Sequence, residues 1–135
     1  MGSRAWSAAL ALAAALLTAC APSSADNCRE ALGILRDAGI DPRNWTWNEA
    51  DPGTAEGRRK AQALAEVGAL ERDEKDWDLR LRLRVVANAA RLYLDAVKDP
   101  AVVFSEPRLD QTRGEIIGFA LGELLDWCEE RGYVD

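Results

Sequence analysis

The chain has 135 residues, a formal net charge of −6 and no histidine. That length is enough for one domain with one hydrophobic core, and the acidic balance disfavours nucleic acid, whose binding depends on neutralising phosphates. Without histidine the chain lacks an imidazole base, a Ser-His or Cys-His nucleophile pair and a His-ligated metal site, so we expect no metal and no cofactor. Paired carboxylates are the enzyme chemistry that stays open.

The first twenty residues have the three-part build of an export signal. Residues 1–4 carry one basic side chain, residues 5–17 are mostly Ala and Leu, and small residues then lead into a cysteine. The residues Leu17-Thr18-Ala19-Cys20 resemble the lipobox of bacterial lipoproteins. This resemblance implies a signal peptide over residues 1–19, cleavage before Cys20 and a lipid on its thiol. A secretory peptide cut elsewhere and an uncleaved membrane helix are the competing interpretations.

The same resemblance implies a protein attached to the cell membrane or the outer membrane, facing outside the cytoplasm, with the lipid as its membrane contact. Arg4 is the only charge of residues 1–19, so cleavage makes the mature chain one unit more negative. An acidic surface of this kind does not adsorb electrostatically to anionic lipid. Residues 20–25 are predicted to form a lipidated tether, and residues 26–135 a single helical domain.

The first helix is predicted from Asp26 or Asn27 to Gly39, because Asn27 and Glu30 have the spacing of a capping box and Gly39 is a typical stop signal. Cys28 falls with two leucines at positions i, i+4 and i+7 of this helix. That period predicts that Cys28 faces the core.

An irregular segment over residues 40–53 follows, and it holds Trp45 and Trp47. Side chains two residues apart point the same way in an extended segment, and exposed aromatic side chains stack on sugar rings or anchor partner proteins. Trp45 and Trp47 are therefore the candidate binding surface. In the alternative interpretation, both indoles lie over the helices and seal a small core.

Two helices are predicted in the middle of the chain. The second runs from Thr54 to about Leu70 and has a thin apolar face. Residues 78–85 alternate at period two as a strand does, but over Asp76 to Lys98 the polar side chains fall in one arc at 100° per residue. This wider window predicts a third helix with a broad buried face.

Arg82 lies in the middle of the apolar arc of the third helix. A buried guanidinium without a partner is costly, so it must meet a carboxylate or extend to the surface. Glu123 is the only charge within the apolar part of the last helix, and we predict a buried ion pair between Arg82 and Glu123. An anion-binding pocket around Arg82 is the alternative.

The last helix is predicted from Asp110 to Glu130 and ends at Gly132. Three glycines spaced by four residues lie inside it, namely Gly114, Gly118 and Gly122. Each costs a helix about 1 kcal/mol relative to Ala, which indicates that another backbone passes nearby, either within the molecule or from a partner. Cys128 falls in the apolar stripe of this helix and is predicted to face inward.

The chain has three cysteines, and a lipid on Cys20 would leave Cys28 and Cys128 as a pair. A bridge between them would tie the first helix to the last, and the chain-entropy model credits a loop of roughly 100 residues with up to about 4.7 kcal/mol. Alternatively, both thiols are reduced and buried. The predicted fold is therefore all-α, a small bundle of about four helices with one disulfide.

Two classes of function follow from these patterns. The first is a lipid-anchored binding or interaction module of the cell envelope, not an enzyme, with a protein or glycan partner and no nucleic acid. The second is a carboxylate-dependent hydrolase of envelope glycans, which would need two carboxylates facing each other across a cleft. Exposed indoles on a shallow surface would favour the first class.

Overall fold

A computed structural model describes residues 22–45, 54–98 and 107–134, except for the side chains of residues 93–98 and 107–113. The described residues form four α-helices and no strand, which confirms the predicted all-α bundle. A short 3₁₀ helix follows the second of them. The elements are α1 (Ser24–Asp37), α2 (Ala55–Ala69), the 3₁₀ helix (Leu70–Asp73), α3 (Trp77–Lys98) and α4 (Pro107–Glu130).

The start of α1 lies earlier than predicted. The Ser23 hydroxyl accepts a 3.1 Å hydrogen bond from the backbone N–H of Asp26, and the Asp26 carboxylate accepts one of 3.1 Å from the N–H of Ser23. This reciprocal capping box starts the helix at Ser24. The predicted cap at Asn27 is wrong, because Asn27 is buried inside the helix and binds another element.

Both predicted glycine stops are confirmed. Gly39 and Gly132 have φ angles of 73° and 70°, a left-handed conformation that glycine adopts without steric penalty. The N–H of Ile40 then donates to the carbonyl of Leu35 at 2.8 Å, as in a Schellman motif. The start of α2 is also as predicted, since Thr54 caps it through a 3.1 Å bond from the N–H of Gly57.

The core is a single cluster to which all four helices contribute. Its largest fully buried side chains are mostly leucines: Leu35, Leu64, Leu79, Leu83, Ile117, Leu121 and Leu124. Helix α3 packs against both α2 and α4, so it is the central helix, as its wide apolar face predicts. No helix in the described ranges is long and apolar enough to cross a membrane.

Helices α2 and α3 approach each other closely at Gly68. A Cβ atom placed on Gly68 would lie 2.7 Å from the Cα atom of Ala87 and 3.0 Å from its backbone nitrogen. These distances are too short for non-bonded carbon and nitrogen atoms, so the close packing depends on the missing side chain. The thin apolar face of α2, with Ala61 and Ala63 among its buried residues, suits this approach.

A disulfide joins Cys28 of α1 to Cys128 of α4, which confirms the predicted pairing. The two Cα atoms are 5.9 Å apart and both residues are fully buried. Next to Cys28, Asn27 contacts Glu74, three residues before α3 begins. The start of α3 and the end of α4 therefore lie at the same end of the bundle, and the two helices run antiparallel.

Candidate functional site

The most buried acidic group in the described ranges is the carboxylate of Glu74, which is 2% exposed. Oε1 accepts hydrogen bonds from the Ser24 hydroxyl at 2.7 Å and from the N–H of Asp76 at 2.9 Å, and Oε2 accepts one of 2.7 Å from Nδ2 of Asn27. The carbonyl of Glu74 accepts two more from Arg80, at 3.0 and 2.7 Å. This cluster connects the first turns of α1 and α3.

The surroundings of Glu74 keep it ionised. Burial raises the pKa of its carboxyl group, but the hydrogen bonds from Asn27, Ser24 and the backbone N–H groups of Asp76 and Lys75 outweigh burial and leave the pKa below its ordinary value. A general acid in glycoside hydrolysis needs the opposite, a carboxyl group that stays protonated. Glu74 is thus arranged to hold helices together.

Residues 41–45 lead away from the end of α1 and lie against α4. Asp41 organises a turn by accepting hydrogen bonds from the N–H of Arg43 at 3.0 Å and from Nδ2 of Asn44 at 2.8 Å. Nη2 of Arg43 then contacts carboxylate oxygens of Asp126 at 3.0 Å and Glu129 at 2.5 Å. These carboxylates hold the pKa of Arg43 above its ordinary value. Arg43 therefore links the segment to the last turns of α4 through ion pairs that are themselves about half-exposed.

The structure places Trp45 against the bundle. Trp45 is half-buried and packs on the core cluster, with its carbonyl oxygen 3.8 Å and its Cδ1 atom 4.0 Å from the position of a Cβ atom on Gly118. This placement matches the alternative in which the indole seals the core. Trp47 lies outside the described residues, so the role of the pair in binding stays a prediction.

Of the glycines spaced by four residues in α4, Gly118 lies against another part of the chain and Gly122 does not. Gly118 lies under the Trp45 segment, whereas a Cβ atom on Gly122 would meet nothing within 4 Å. At Gly118 the neighbour is an irregular segment at ordinary van der Waals distance and at Gly122 there is open space, so neither glycine is required by a closely passing backbone. Among the glycines of the described ranges, the one in tight contact with another helix is Gly68 in α2, which sequence spacing did not single out.

A groove lies between α1, residues 40–42 and the C-terminal segment. Its volume is about 240 Å³, and most of its lining is apolar, from Leu32, Ile40, Leu125 and Tyr133. Arg29 and Arg36 add two guanidinium groups, and their nearest carboxylates are 3.7 Å away in exposed pairs. Exposed pairs of this kind are weak, so both cations can exchange these partners for the carboxylates of a ligand.

The predicted ion pair between Arg82 and Glu123 is not formed. Arg82 is half-buried and donates from Nη1 to the carbonyl of Asp78, one turn earlier in α3, at 3.1 Å. Its Nε atom is buried without an acceptor in the described part of the chain.

Trp127 is a buried polar residue that sequence reasoning did not select. It is 3% exposed, and its indole Nε1 atom has no acceptor among the described residues. The guanidinium of Arg131 stacks on its ring, with the Cζ atom 3.9 Å from the centroid, and the ring of Tyr133 lies 6.1 Å away. The sequence feature that could have selected Trp127 is its position one residue before Cys128, on the inner half of α4.

Comparison with known proteins assigns no relative to this chain. No family model, no curated protein and no solved structure matches it. Within the described ranges, no group of three or more Cys, Asp or Glu residues is placed to hold a metal ion. Cys20, like Trp47, lies outside the described ranges.

Proposed function

We propose that this protein is exported, carries a lipid on Cys20 and works at the surface of the cell envelope as a binding module. One observation carries the proposal: the disulfide uses Cys28 and Cys128, so Cys20 is the one cysteine of three left for modification. Structural disulfides persist in oxidising compartments, which agrees with the export signal that residues 1–20 resemble.

The groove is the surface that we assign to the partner. An apolar floor between Arg29 and Arg36 suits a protein segment that presents an apolar side chain next to carboxylates. The rest of the surface of this acidic chain would repel the carboxylates of such a segment. A glycan is a less suitable ligand, because stacking on sugar rings needs an exposed indole and Trp45 is half-buried. The paired carboxylates of a hydrolase find no support in Glu74, whose lowered pKa suits a structural role.

The lipid anchor is tested by Cys20→Ser. Wild-type protein expressed in a bacterial host should partition into the detergent phase, and mass spectrometry of its N-terminal peptide should give the mass of an acylated cysteine. Cys20→Ser should abolish both. The control is the double variant Cys28→Ala/Cys128→Ala, which keeps Cys20 and should still be acylated. A Cys20→Ser protein that matures and stays with the membrane would overturn the proposal.

The groove is tested separately by charge reversal. Crosslinking in the native host should capture a partner with wild-type protein, and Arg29→Glu/Arg36→Glu should lose it. The matched control is Arg72→Glu/Arg91→Glu, which makes the same change in net charge at two exposed positions outside the groove. Capture that survives in the groove variant, or disappears equally in the control, would remove the groove from the proposal without affecting the anchor.

A further inference from the structure

The groove between α1, residues 40–42 and the C-terminal segment is too small for most free ligands. Its volume is about 240 Å³, whereas sites for small molecules and cofactors have roughly 300–1,000 Å³. A groove of this size accepts one large apolar side chain, while the rest of the ligand stays outside. One side chain buried in an apolar pocket is a common anchor between proteins. The size of the groove therefore favours a peptide segment as its ligand.

Gly33 leaves the α1 side of this groove open. It lines the groove together with Leu32 and contributes no side chain. Among the described residues, and apart from the backbone of α1, the atom that a Cβ atom on Gly33 would meet within 4 Å is Nη2 of Arg36, at 3.9 Å. The guanidinium group of Arg36 therefore lies over Gly33, in a groove that Ile40 and Leu125 also line. A side chain that enters here meets apolar walls and a positive charge together.

Arg29 and Arg36 place a positive charge on each side of Gly33 in sequence. They are seven residues apart in α1, which corresponds to about 10.5 Å along the helix axis and about 20° around it. Both residues line the groove, so they lie on one face of α1. Two negative charges of one ligand can therefore bind at once, provided that their spacing matches this separation.

An extended peptide meets this spacing when its acidic residues are four positions apart. Extended backbone rises about 3.3 Å per residue, and alternate side chains point to the same side. Residues four apart therefore lie about 13 Å from each other on one side of the peptide, and the flexible arginine side chains can close a difference of about 3 Å. The residue midway between them points to the same side. Residues three apart point to opposite sides, and residues two apart leave no side chain between them on the shared side.

We propose that the groove binds an extended segment of a partner protein, in which an apolar residue lies midway between two acidic residues, two positions from each. The apolar side chain enters the groove over Gly33, and the two carboxylates bind the guanidinium groups of Arg29 and Arg36. This inference rests on the proposed function, because it names the kind of sequence that the groove recognises. Charge pairs at an exposed site are screened by salt, so the binding should weaken as the ionic strength rises.

The test is a titration of the full chain with a synthetic peptide, followed by nitrogen-15 NMR. The chain carries Cys20→Ser, so the result does not depend on a lipid. The peptide has seven residues and capped ends, with leucine at the centre, glutamate two positions to each side and serine elsewhere. We expect saturable shifts of the backbone amides of Gly33, Leu125 and Tyr133, which line the groove. Each replacement of a peptide glutamate by glutamine should weaken binding about two- to fivefold, and a peptide with leucine moved next to one glutamate should not saturate these shifts.

The apolar part of the site is tested by Gly33→Leu, which fills the groove without a change of charge and should abolish the saturable shifts. Its matched control is Gly122→Leu, which adds the same side chain to α4, where a Cβ atom meets nothing within 4 Å. The control should bind the peptide as before. Melting temperatures of both variants establish that they are folded.

The charged part is tested by Arg29→Gln/Arg36→Gln, which keeps the groove open and should weaken binding about fourfold or more, since two exposed charge pairs are lost. The control is Arg72→Gln/Arg91→Gln, the same change in net charge at exposed positions outside the groove. Equal weakening in both double variants would contradict the assignment of the carboxylates to Arg29 and Arg36.

The proposal is overturned if no amide of the groove shows a saturable shift, or if the peptide with displaced leucine binds equally well. It is also overturned if an alanine-rich helical peptide with glutamates seven positions apart binds more tightly, because the ligand would then be a helix. Saturation of the same amides by an equal concentration of sodium decanoate would likewise overturn it, because the groove would then be a site for amphiphiles.

These failures differ from a failure of the proposed function. If capture in the native host depends on Arg29 and Arg36 but no peptide binds, the peptide pattern is wrong and the binding module stands. If wild-type protein captures no partner in the host, the proposed function itself is wrong.

Discussion

Nδ2 of Asn27 donates a 2.7 Å hydrogen bond to Oε2 of Glu74, across 47 positions of sequence. Both residues are 2% exposed, and the bond lies next to the disulfide that starts at Cys28. One end of the bundle is therefore held by a covalent bond and a charge-assisted hydrogen-bond cluster side by side. We expect substitutions at this end to have large effects on stability.

Glu74→Gln should lower the free energy of unfolding at pH 7 by about 1–3 kcal/mol. The substitution removes a charged acceptor, and it places the amide N–H groups of Gln against the donors that now bind the Glu74 carboxylate. The measurement is urea denaturation. The control is Glu30→Gln, the same chemical change at an exposed position of α1, which should stay within about 0.5 kcal/mol of wild type. Equal effects of the two substitutions would show that the Glu74 cluster does not stabilise the fold.

The contribution of Glu74 should depend on pH in a defined direction. Its folded-state pKa is below the ordinary value of 4.5, so the unfolded chain binds the proton more readily and stability rises with pH in this range. The difference between wild type and Glu74→Gln should be full at neutral pH and shrink as the pH falls below 4.5. Asp26 and Asp41 also have lowered pKa values, through bonds from Ser23 and Asn44 respectively, but they act equally in both proteins. Melting temperatures measured across this range check the prediction, and a difference that grows on acidification would contradict it.

Loss of the disulfide should have the largest single effect on stability. Cys28→Ala/Cys128→Ala should reduce the free energy of unfolding by about 2–5 kcal/mol, because the unfolded chain regains the freedom of a loop of about 100 residues. Guanidinium denaturation of the variant gives this value, and reduced wild type is the independent comparison. Unchanged stability in both would mean that the bond does not constrain the unfolded chain.

Gly68→Ala and Gly122→Ala form a matched pair with opposite expected signs. Each gains helix propensity worth about 1 kcal/mol, and a Cβ atom on Gly122 meets open space, so Gly122→Ala should stabilise the protein by up to that amount. On Gly68 the Cβ atom would strike the backbone of Ala87, and overpacking should destabilise the protein by about 1–3 kcal/mol. Thermal melting distinguishes them. Stabilisation by both substitutions would refute the close approach of α2 and α3.

Trp45→Ala should lower stability by about 1–3 kcal/mol, less than the roughly 3–5 kcal/mol of a fully buried tryptophan, since Trp45 is half-buried on the core. The melting temperature of this variant is compared with that of Trp47→Ala. If partner capture is lost in Trp45→Ala while the melting temperature is unchanged, Trp45 contacts the partner and does not seal the core.

The helices, their glycine stops and the disulfide were predictable from the sequence, because their signals are periodic patterns or special residues. The period of α3 identifies it as a helix against its local strand-like alternation, and the positions of Cys28 and Cys128 on inner faces predict the disulfide. The stops at Gly39 and Gly132 follow from the special conformation that only glycine adopts readily. Each of these signals depends on residues close together in sequence.

Features that depend on tertiary contact were not predictable. At the start of α1 the capping box forms between Ser23 and Asp26, whereas Asn27, which has the same spacing to Glu30, bonds to Glu74. Glu74 is one acid within a run of charged residues, and nothing in that run distinguishes the buried one. Likewise, the importance of Gly68 depends on Ala87, which lies in a different helix. The partners come from helices whose relative placement a periodic pattern does not give.

The bond between Cys28 and Cys128 also decides how the molecule bears force. Tension applied between an N-terminal attachment and the C-terminal segment would run through a few residues before Cys28, across the sulfur atoms and out through the residues after Cys128. Helices α2 and α3 lie outside that path. A domain held in this way keeps its core unloaded while its two ends are pulled, and a single proteolytic cut between the cysteines leaves the two pieces covalently joined.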